Sequence, residues 1–352
     1  MFSQKKHNGL MLDIARRYYS VDVIKQYIDT LADSGGGFLH LHFSDHENYG
    51  LESRILNQKA ESAEISDGRY RNPQTGKLFL SDSQLREIAQ YAHAKNIELI
   101  PELGSPNHMD GIFTLLTHRH GAEYVQSLKS KMADDEIDIT NPQSAAFVES
   151  LMEEVIAKFP HSKRFHIGAD EFGYSVENHH EFVAYVNRLS SFLAGKGLKT
   201  QMWNDGLIKQ NLDDLNRRIE VTYWSYDGDA QDRGERDKRR RIRASMPELI
   251  QAGFDVWNYN SYYLYFVPNS NLASSGDTDY AVRDVEKNWD LGIWDGDNRQ
   301  NVLQAHKQKK VRGAALAIWG EHSLSLSDKT VFSHTQKLLQ AVMHKAEKTS
   351  SD

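Results

Sequence analysis

Two adjacent carboxylates, Asp170 and Glu171, are the residues of this sequence best placed to do chemistry. They follow residues 164–167, a short run that predicts a buried strand, and the Gly168-Ala169 step between permits a sharp turn. Neighbouring side chains at a strand end point to opposite sides unless the backbone turns there. With such a turn, both acids would converge on one substrate from different angles. The alternative is a strand that runs into a solvated acidic turn.

The elements that would position these acids follow a repeated pattern of strand and then helix. Strands are predicted at residues 9–15, 38–43, 97–103, 164–167, 199–203, 219–224, 254–263 and 311–319. Helices are predicted after Ser20 and at residues 81–95, 141–159, 181–194, 246–252, 282–289 and 327–344. Residues 232–243 are interpreted as a solvated loop or helix end, and a long polar loop is expected up to about residue 80. Eight such units favour an α/β fold, a single (β/α)8 TIM barrel domain over residues 1–352.

Acids, histidines and aromatic residues recur where the predicted strands end. In a barrel of this kind the active site lies at the C-terminal ends of the strands. The residues at those ends are Asp13, Arg16, His42, Asp45, Glu102, His108, Asp170, Glu171, Trp203, Asp205, Trp224, Tyr226, Tyr263, Tyr265, Trp319 and Glu321. A site for a glycoside needs this mixture, because carboxyl groups cleave the bond and aromatic rings pack against sugar faces.

Composition excludes several classes of protein. The chain has 352 residues, 26% charged and 39% hydrophobic, which is typical of a globular protein without a membrane span. It has no cysteine, which excludes disulfide and thiolate chemistry. A net charge of −7 argues against nucleic acid or an anionic membrane as partner. The first strand is not followed by a glycine-rich phosphate fingerprint, so no dinucleotide fold is predicted, and we expect no cofactor.

Specific motifs surround these candidate residues. The acidic pair stands in the run His-Ile-Gly-Ala-Asp-Glu-Phe-Gly-Tyr at residues 166–174. Supporting motifs lie at residues 9–16, 40–49, 202–206, 223–226, 258–265 and 318–321. On these motifs the chain resembles the family 20 glycoside hydrolases, the β-N-acetylhexosaminidases, over nearly its whole length. It is most similar to the members of that family that degrade biofilm polysaccharide.

The resemblance implies a retaining mechanism without a nucleophile on the enzyme. The 2-acetamido group of the substrate attacks its own anomeric carbon and an oxazolinium ion forms. Glu171 matches the general acid, which then acts as the base for water, and Asp170 matches the residue that orients the acetamido group and stabilises its positive nitrogen. Either Tyr263 or Tyr265 would hydrogen-bond the acetamido oxygen; Tyr265 is favoured, but the sequence does not decide between them.

Further residues match family positions around the sugar. Asp45 and His108 match residues that relay to the acid and tune its proton affinity. The resemblance implies that Trp203, Trp224 and Trp319 form the walls of the pocket and that Arg16 and Glu321 hold hydroxyls of the terminal sugar. Tyr174 is a further candidate for sugar contact, with packing of its own loop as the alternative.

Two positions depart from the family pattern. Gly104 stands where the family usually has an aspartate that supports the acetamido-orienting residue, so Asp170 is expected to have one partner fewer. Ala169 stands where glycine is commoner, and its methyl group is expected to be tolerated.

The resemblance also implies the substrate and the location of the enzyme. The substrate would be β-1,6-linked poly-N-acetylglucosamine, a partly deacetylated and therefore cationic polymer with which a charge of −7 is compatible. We expect an extracellular monomer. Residues 1–7 have no apolar core after their basic pair, so we expect the signal peptide to be absent from this chain.

Three alternatives stay open. His40 and His42 form a His-x-His pair that metal-dependent barrel hydrolases use as ligands, but Trp203 and Trp224 rather than histidines end the fifth and sixth strands, so no metal is predicted. The loss of an acid at Gly104 is compatible with a carbohydrate-binding protein whose catalysis has decayed. A hexosaminidase specific for β-1,4 linkages is the third.

Overall fold

A closed barrel of parallel strands dominates the computed structural model, which describes residues 5–173 and 176–348. The strands in the described residues are β1 (Gly9–Asp13), β2 (Phe38–His42), β3 (Glu64–Ser66), β4 (Arg69–Arg71), β5 (Leu78–Phe79), β6 (Glu98–Ser105), β7 (Arg164–Gly168), β8 (Lys199–Trp203), β9 (Glu220–Tyr223), β10 (Asp255–Asn258), β11 (Tyr265–Phe266) and β12 (Val311–Ile318). The barrel runs in the order β1, β2, β6, β7, β8, β9, β10 and β12, and parallel pairing of β1 with β12 closes it. The predicted (β/α)8 barrel is confirmed.

Helices cover the outside of the barrel. In the described residues they are α1 (Val21–Asp33), α2 (Asp82–Ala94), α3 (Asp110–His120), α4 (Ala122–Leu128), α5 (Pro142–Lys158), α6 (His179–Gly195), α7 (Arg233–Ile242), α8 (Met246–Gln251), α9 (Leu272–Ser275), α10 (Asp277–Asn288), α11 (Ala305–Gln308) and α12 (Asp328–Lys348). Helix α1 begins where its sequence indicates, because the Ser20 side chain accepts a hydrogen bond from the Val23 N–H at 3.3 Å. Its apolar face, which includes Ile24 and Leu31, is buried. No helix in the described part of the chain is long and apolar enough to span a membrane.

Two segments interpreted as loops contain regular structure. Residues 233–242 form helix α7, which begins at Asp232, whose side chain accepts a hydrogen bond from the Glu235 N–H at 2.8 Å. Glu235 and Arg239 lie one turn apart and form an ion pair at 3.1 Å, so the mixed charges that indicated a loop support a solvated helix instead. The long polar loop before residue 80 contains the small antiparallel sheet β3–β4–β5.

The seventh barrel strand is shorter than predicted. It was expected at residues 254–263, but β10 ends at Asn258. The Asn260 side chain fixes a turn there, because its Oδ1 accepts the N–H groups of Tyr262 and Tyr263 and its Nδ2 donates to the Gly296 carbonyl at 2.8 Å. The chain then returns as β11, which pairs with the upper end of β12. The rim of the barrel therefore receives Tyr265 and not Tyr263.

Buried hydrophobic side chains, most of them large, fill the barrel interior. They are Met11, Phe38, Ile100, Trp203, Trp257, Tyr259, Ala315 and Ala317. Trp224, Tyr265 and Trp319 pack against this group from the C-terminal end and are only partly buried. The candidate site therefore lies directly above this interior core, at the C-terminal end of the barrel.

Candidate active site

The backbone turns sharply after β7, as the Gly168-Ala169 step predicts. Gly168, Ala169 and Glu171 have φ of 73°, 63° and 49°, all in the left-handed region. A Cβ on Gly168 would lie 2.8 Å from the Gly104 Cα, so only glycine fits there. A left-handed conformation costs a non-glycine residue about 1–2 kcal/mol. This cost at Ala169 is a physical reason to expect glycine at that position.

Three side chains hold the loop that carries the acids. The Glu171 N–H donates to Asp205 Oδ2 at 2.8 Å, and Asn107 Nδ2 donates to the Glu171 carbonyl at 2.6 Å. Further along, the Gly173 N–H donates to the buried Glu136 carboxylate. The Glu171 side chain is 39% exposed while its backbone is fixed on both sides. Its carboxyl group is therefore accessible to a substrate, while its backbone is fixed by hydrogen bonds.

Both acids converge on one imidazole. His108 Nε2 lies 3.0 Å from Glu171 Oε2 and 3.3 Å from Asp170 Oδ2. On the other side of the ring, His108 Nδ1 lies 3.2 Å from Asp45 Oδ1. Burial alone would lower the pKa of His108, but Asp170, Asp45 and Glu171 together raise it. The structure thus brings together Asp45, His108, Asp170 and Glu171, as expected from the sequence.

Asp45 joins this group to His42 and Arg16. Its Oδ2 lies 2.5 Å from His42 Nε2 and 3.2 Å from a guanidinium nitrogen of Arg16, and its Oδ1 accepts the N–H of His46 at 2.7 Å. Burial would raise the pKa of Asp45, but hydrogen bonds from His108 and His42 hold it well below its usual range. Asp45 is therefore a carboxylate whose orientation is fixed from both oxygens.

Arg16 lies across the mouth of the site. Its guanidinium is 3.2 Å from Asp13 and also 3.2 Å from Glu47, and it packs 5.5 Å above the ring of Trp319. Burial would lower the pKa of Arg16, but nearby carboxylates, Glu321 among them, raise it. Asp13 holds Arg16 and the backbone around it. Glu321 is exposed beside this group.

A buried carboxylate, Glu102, lies beneath Asp45 and contacts it through His42. Its Oε2 accepts from His40 Nε2 at 2.7 Å and faces His42 Nδ1 at 2.6 Å, and its Oε1 accepts from Trp203 Nε1 at 2.8 Å. Burial would raise the pKa of Glu102, but His42, His166 and His40 lower it well below its usual range. Glu102 lies within β6, near the end of the strand predicted at residues 97–103, but nothing in the sequence showed that three strands would direct polar groups at it.

The His-x-His pair is engaged within the protein. His40 Nε2 donates to Glu102, and its Nδ1 lies 3.0 Å from the Tyr259 hydroxyl. His166, beside it, accepts the Gly168 N–H at Nδ1 and donates from Nε2 to the Thr222 hydroxyl at 2.8 Å. His40, Glu102 and His166 lie close enough to share a metal ion, yet hydrogen bonds to protein groups occupy both nitrogens of each of these rings. Both rings are therefore fully hydrogen-bonded to groups of the protein itself.

Aromatic rings form one wall of the site. Trp224 and Tyr265 are nearly parallel, with ring centroids 6.2 Å apart, and Tyr265 meets Trp319 edge-on at 5.4 Å. Burial raises the pKa of the Tyr265 hydroxyl well above its usual range, and the carboxylates Asp170 and Glu102 add to the rise. Tyr265 therefore remains a hydroxyl donor at all ordinary pH values.

Other expected site residues lie further from the open pocket. Trp203 is only 1% exposed and lies below the wall, with its N–H on Glu102. Tyr263 is buried and packs against Tyr262 at 4.8 Å, away from the ring group around Tyr265. Tyr174 lies outside the described residues. Of the two tyrosines, Tyr265 is the one that packs beside Trp224 and Trp319, and its role as the acetamido partner stays a prediction.

Asp205 supports both the acid loop and the wall. Its Oδ2 accepts the Glu171 N–H and its Oδ1 accepts from Trp224 Nε1 at 3.1 Å. Burial raises the pKa of Asp205 to about 6; Arg243 opposes the rise, and Asp170 adds to it. One carboxyl group therefore couples the position of the catalytic loop to that of a pocket wall.

Asn107 and Glu136, which hold the loop, were not singled out from the sequence. Asn107 directly precedes the candidate residue His108, and this adjacency was the available signal. Glu136 lies in an acidic run, Asp134-Asp135-Glu136, that resembles a solvated surface. Only the fold brings it, buried, against Gly173.

Comparison with known proteins identifies a family. The sequence profile described as "Glycosyl hydrolase family 20, catalytic domain" matches residues 6–336. Among solved structures, a crystal structure of dispersin B is 58% identical, with a TM-score of 0.94 over 97% of this chain and 99% of that one. A structure titled as the pneumococcal virulence factor StrH is 19% identical with a TM-score of 0.72, covering 97% of this chain and 83% of that one, which shows the fold alone.

Curated relatives are more distant. A lacto-N-biosidase of Bifidobacterium bifidum is 24% identical over 70% of this chain. A β-hexosaminidase of Vibrio furnissii is 30% identical over 47% of this chain. The alignments cover 21% and 29% of these two relatives, so the chain spans only a fraction of their length.

Proposed function

The chain belongs to glycosyl hydrolase family 20, and from this premise we propose that it is a β-N-acetylhexosaminidase that cleaves N-acetylglucosamine polysaccharide with help from the substrate's own acetamido group. The observation that carries the proposal is the convergence of Asp170 and Glu171 on His108, beside the wall of Trp224, Tyr265 and Trp319. Carboxyl groups so placed can serve one sugar ring, with the acetamido group on one side and the leaving oxygen on the other.

In the first step, Glu171 donates its proton to the glycosidic oxygen as that bond breaks. The acetamido oxygen bonds to the anomeric carbon, so the nitrogen becomes positive and the Asp170 carboxylate stabilises it. The Tyr265 hydroxyl donates to the acetamido oxygen and fixes its approach. In the second step, Glu171 takes a proton from water, which attacks the anomeric carbon as the bond to the acetamido oxygen breaks; the acetamido group is restored and a sugar of unchanged configuration is released.

His108 assists because its Nε2 lies near both acids. A charged imidazolium there attracts the carboxylate that Glu171 becomes after proton transfer. Asp45 holds the ring from its other nitrogen. Arg16 and Glu321, at the mouth beside Trp319, are suited to hold hydroxyls of the terminal sugar.

The mechanism is tested by comparing a chromogenic β-N-acetylglucosaminide with the matching β-glucoside. The glucoside, which has a plain 2-hydroxyl, should be nearly inert, and a thiazoline mimic of the oxazolinium ion should inhibit. Comparable turnover of both substrates would refute participation of the acetamido group. Absence of turnover on both substrates would favour the binding-protein alternative.

We further propose that the natural polymer is β-1,6-linked poly-N-acetylglucosamine and that the enzyme acts outside the cell. Support comes from the resemblance of the motifs to biofilm-degrading members of the family and from the compatible net charge of −7. Product analysis on β-1,6-linked and β-1,4-linked N-acetylglucosamine oligomers of equal length tests the linkage. Faster release from the β-1,4 oligomer would favour the alternative β-1,4-specific hexosaminidase.

A further inference from the structure

His42 lies between two buried carboxylates that share it from opposite sides. Its Nδ1 is 2.6 Å from Glu102 Oε2, and its Nε2 is 2.5 Å from Asp45 Oδ2. The side chains of His42, Glu102 and Asp45 are 6%, 1% and 2% exposed, so water does not separate them. A neutral imidazole would direct one lone pair at a carboxylate oxygen in this arrangement, whereas an imidazolium donates to both. Charge-assisted hydrogen bonds are shorter than neutral ones, and both of these contacts are short.

The neighbouring histidines have different partners. His40 receives the Tyr259 hydroxyl at Nδ1, and His166 receives the Gly168 N–H at Nδ1, so each ring has a donor facing one nitrogen and is satisfied when neutral. Burial lowers the pKa of His40 and of His166. Burial would also lower the pKa of His42, but Glu102 and Asp45 raise it well above its usual range. Of the three histidines around Glu102, His42 is therefore the charged one.

We propose that His42 is a permanent imidazolium held between Glu102 and Asp45. This buried unit of three residues is a positioning element: it orients Asp45 towards His108. His108 in turn keeps the general acid, Glu171, in line with the leaving oxygen. This inference rests on the proposed function and deepens it. His42 touches no reacting atom and acts through Asp45. With Oδ2 bound to His42 and Oδ1 bound to the His46 N–H, the Asp45 carboxylate cannot rotate away from His108.

The groups that face this unit come from every neighbouring element. They are His40 from β2, His166 from β7, Tyr259 after β10, Arg16 after β1 and Tyr265 from β11, with the Trp319 ring 5.1 Å from that of His42. Arg16 is the other cation on Asp45, but its nitrogen lies 3.2 Å away on the oxygen that His42 already holds at 2.5 Å. The shorter contact makes His42 the partner that determines the orientation of Asp45.

The test uses His42→Gln and substrates with leaving groups of graded quality. A leaving group of low pKa departs without a proton, whereas a sugar or alkyl leaving group needs the acid. Misplaced acids lose on the order of 10²-fold in rate. We expect His42→Gln to lower kcat/KM by that factor for the poor leaving group and to leave it nearly unchanged for the good one. Equal loss on both substrates, or loss on neither, would overturn the proposal.

His40→Gln is the matched control, because it removes a Glu102 partner from the same buried strand but does not contact Asp45. Its ratio of kcat/KM values between the two substrates should equal that of the wild-type protein; a shift as large as that of His42→Gln would overturn the proposal. Nitrogen NMR of the histidine-labelled wild-type protein gives a second readout that needs no variant. Two protonated nitrogens on His42 from mildly acidic to mildly alkaline pH support the proposal, and a single protonated nitrogen there refutes it. Failure of wild-type activity on every substrate would instead refute the proposed function.

Discussion

Replacing Gly104 by aspartate adds the carboxylate that the resemblance leads us to expect there, and the structure leaves room for its Cβ. A Cβ at this position would meet the Asn107 carbonyl at 3.9 Å and His108 Cβ at 4.0 Å, which are ordinary contacts. Gly104 does not have a left-handed φ, so a side chain adds no backbone strain. The new carboxylate would lie beside the His108 ring, whose Nε2 is 3.3 Å from Asp170. Gly104→Asp should therefore fold as the wild-type protein does.

The size of the effect follows from the partners of Asp170. Its contact with His108 is shared with Glu171, which lies closer, at 3.0 Å. When Glu171 gives up its proton, it competes for that imidazole, and Asp170 is held less firmly at the moment when the acetamido nitrogen becomes positive. One hydrogen bond to a charged group contributes about 1.5–3 kcal/mol, or about 10- to 100-fold in rate. Because water softens the present loss, we expect kcat to rise about 10-fold, with a smaller change in KM.

Steady-state kinetics over a pH series, with two companion variants, separates the causes. Gly104→Ala adds the Cβ alone and should leave kcat unchanged. Gly104→Asn offers a neutral hydrogen-bonding group and should reproduce part of the gain if orientation of Asp170 is the cause. If the new carboxylate instead repels Asp170, Gly104→Asn should exceed Gly104→Asp. An unchanged or lower kcat for Gly104→Asp and Gly104→Asn at every pH would refute the reasoning.

Three further predictions follow from the site. Glu171→Gln should lower kcat on a substrate with a poor leaving group by on the order of 10²- to 10⁴-fold while sugar binding, measured by calorimetry, persists; wild-type turnover would show that another group is the acid. Tyr265→Phe should lower kcat on the order of 10-fold or more by removing one donor to the acetamido oxygen, whereas Tyr263→Phe should not, and equal kinetics of the two variants would contradict the assignment. Asp205, with its pKa raised to about 6, favours folding when protonated. This contribution is complete at low pH and is lost as pH rises through about 6. Asp205→Asn should therefore gain stability relative to wild type between acidic and neutral pH, by about 3 kcal/mol, measured as the free energy of urea unfolding at each pH; a difference that does not change with pH would refute it.

The local pattern of apolar and polar residues was sufficient to predict the barrel, because it marks each strand separately. Apolar runs ended by polar residues predicted eight strands, and strand β8 (Lys199–Trp203) was predicted to the residue. The same pattern predicted the wrong element or boundary where tertiary contacts and side-chain hydrogen bonds decide it. The amide of Asn260 ends β10 early, and Asp232 begins a helix in a charged run that looks like a loop.

The sequence by itself determined the reactive pair, because Asp170 and Glu171 adjoin a strand and the Gly168-Ala169 turn is a local property of two small residues. It also determined the rim, since side chains at the ends of parallel strands must share one face. Only the tertiary structure decided which tyrosine reaches the pocket, because a turn at Asn260 separates Tyr263 from Tyr265. Likewise, the charge of His42 depends on Glu102, sixty residues away on the neighbouring strand. Hydrogen bonds between strands depend on barrel closure and register, and no local pattern encodes these distances.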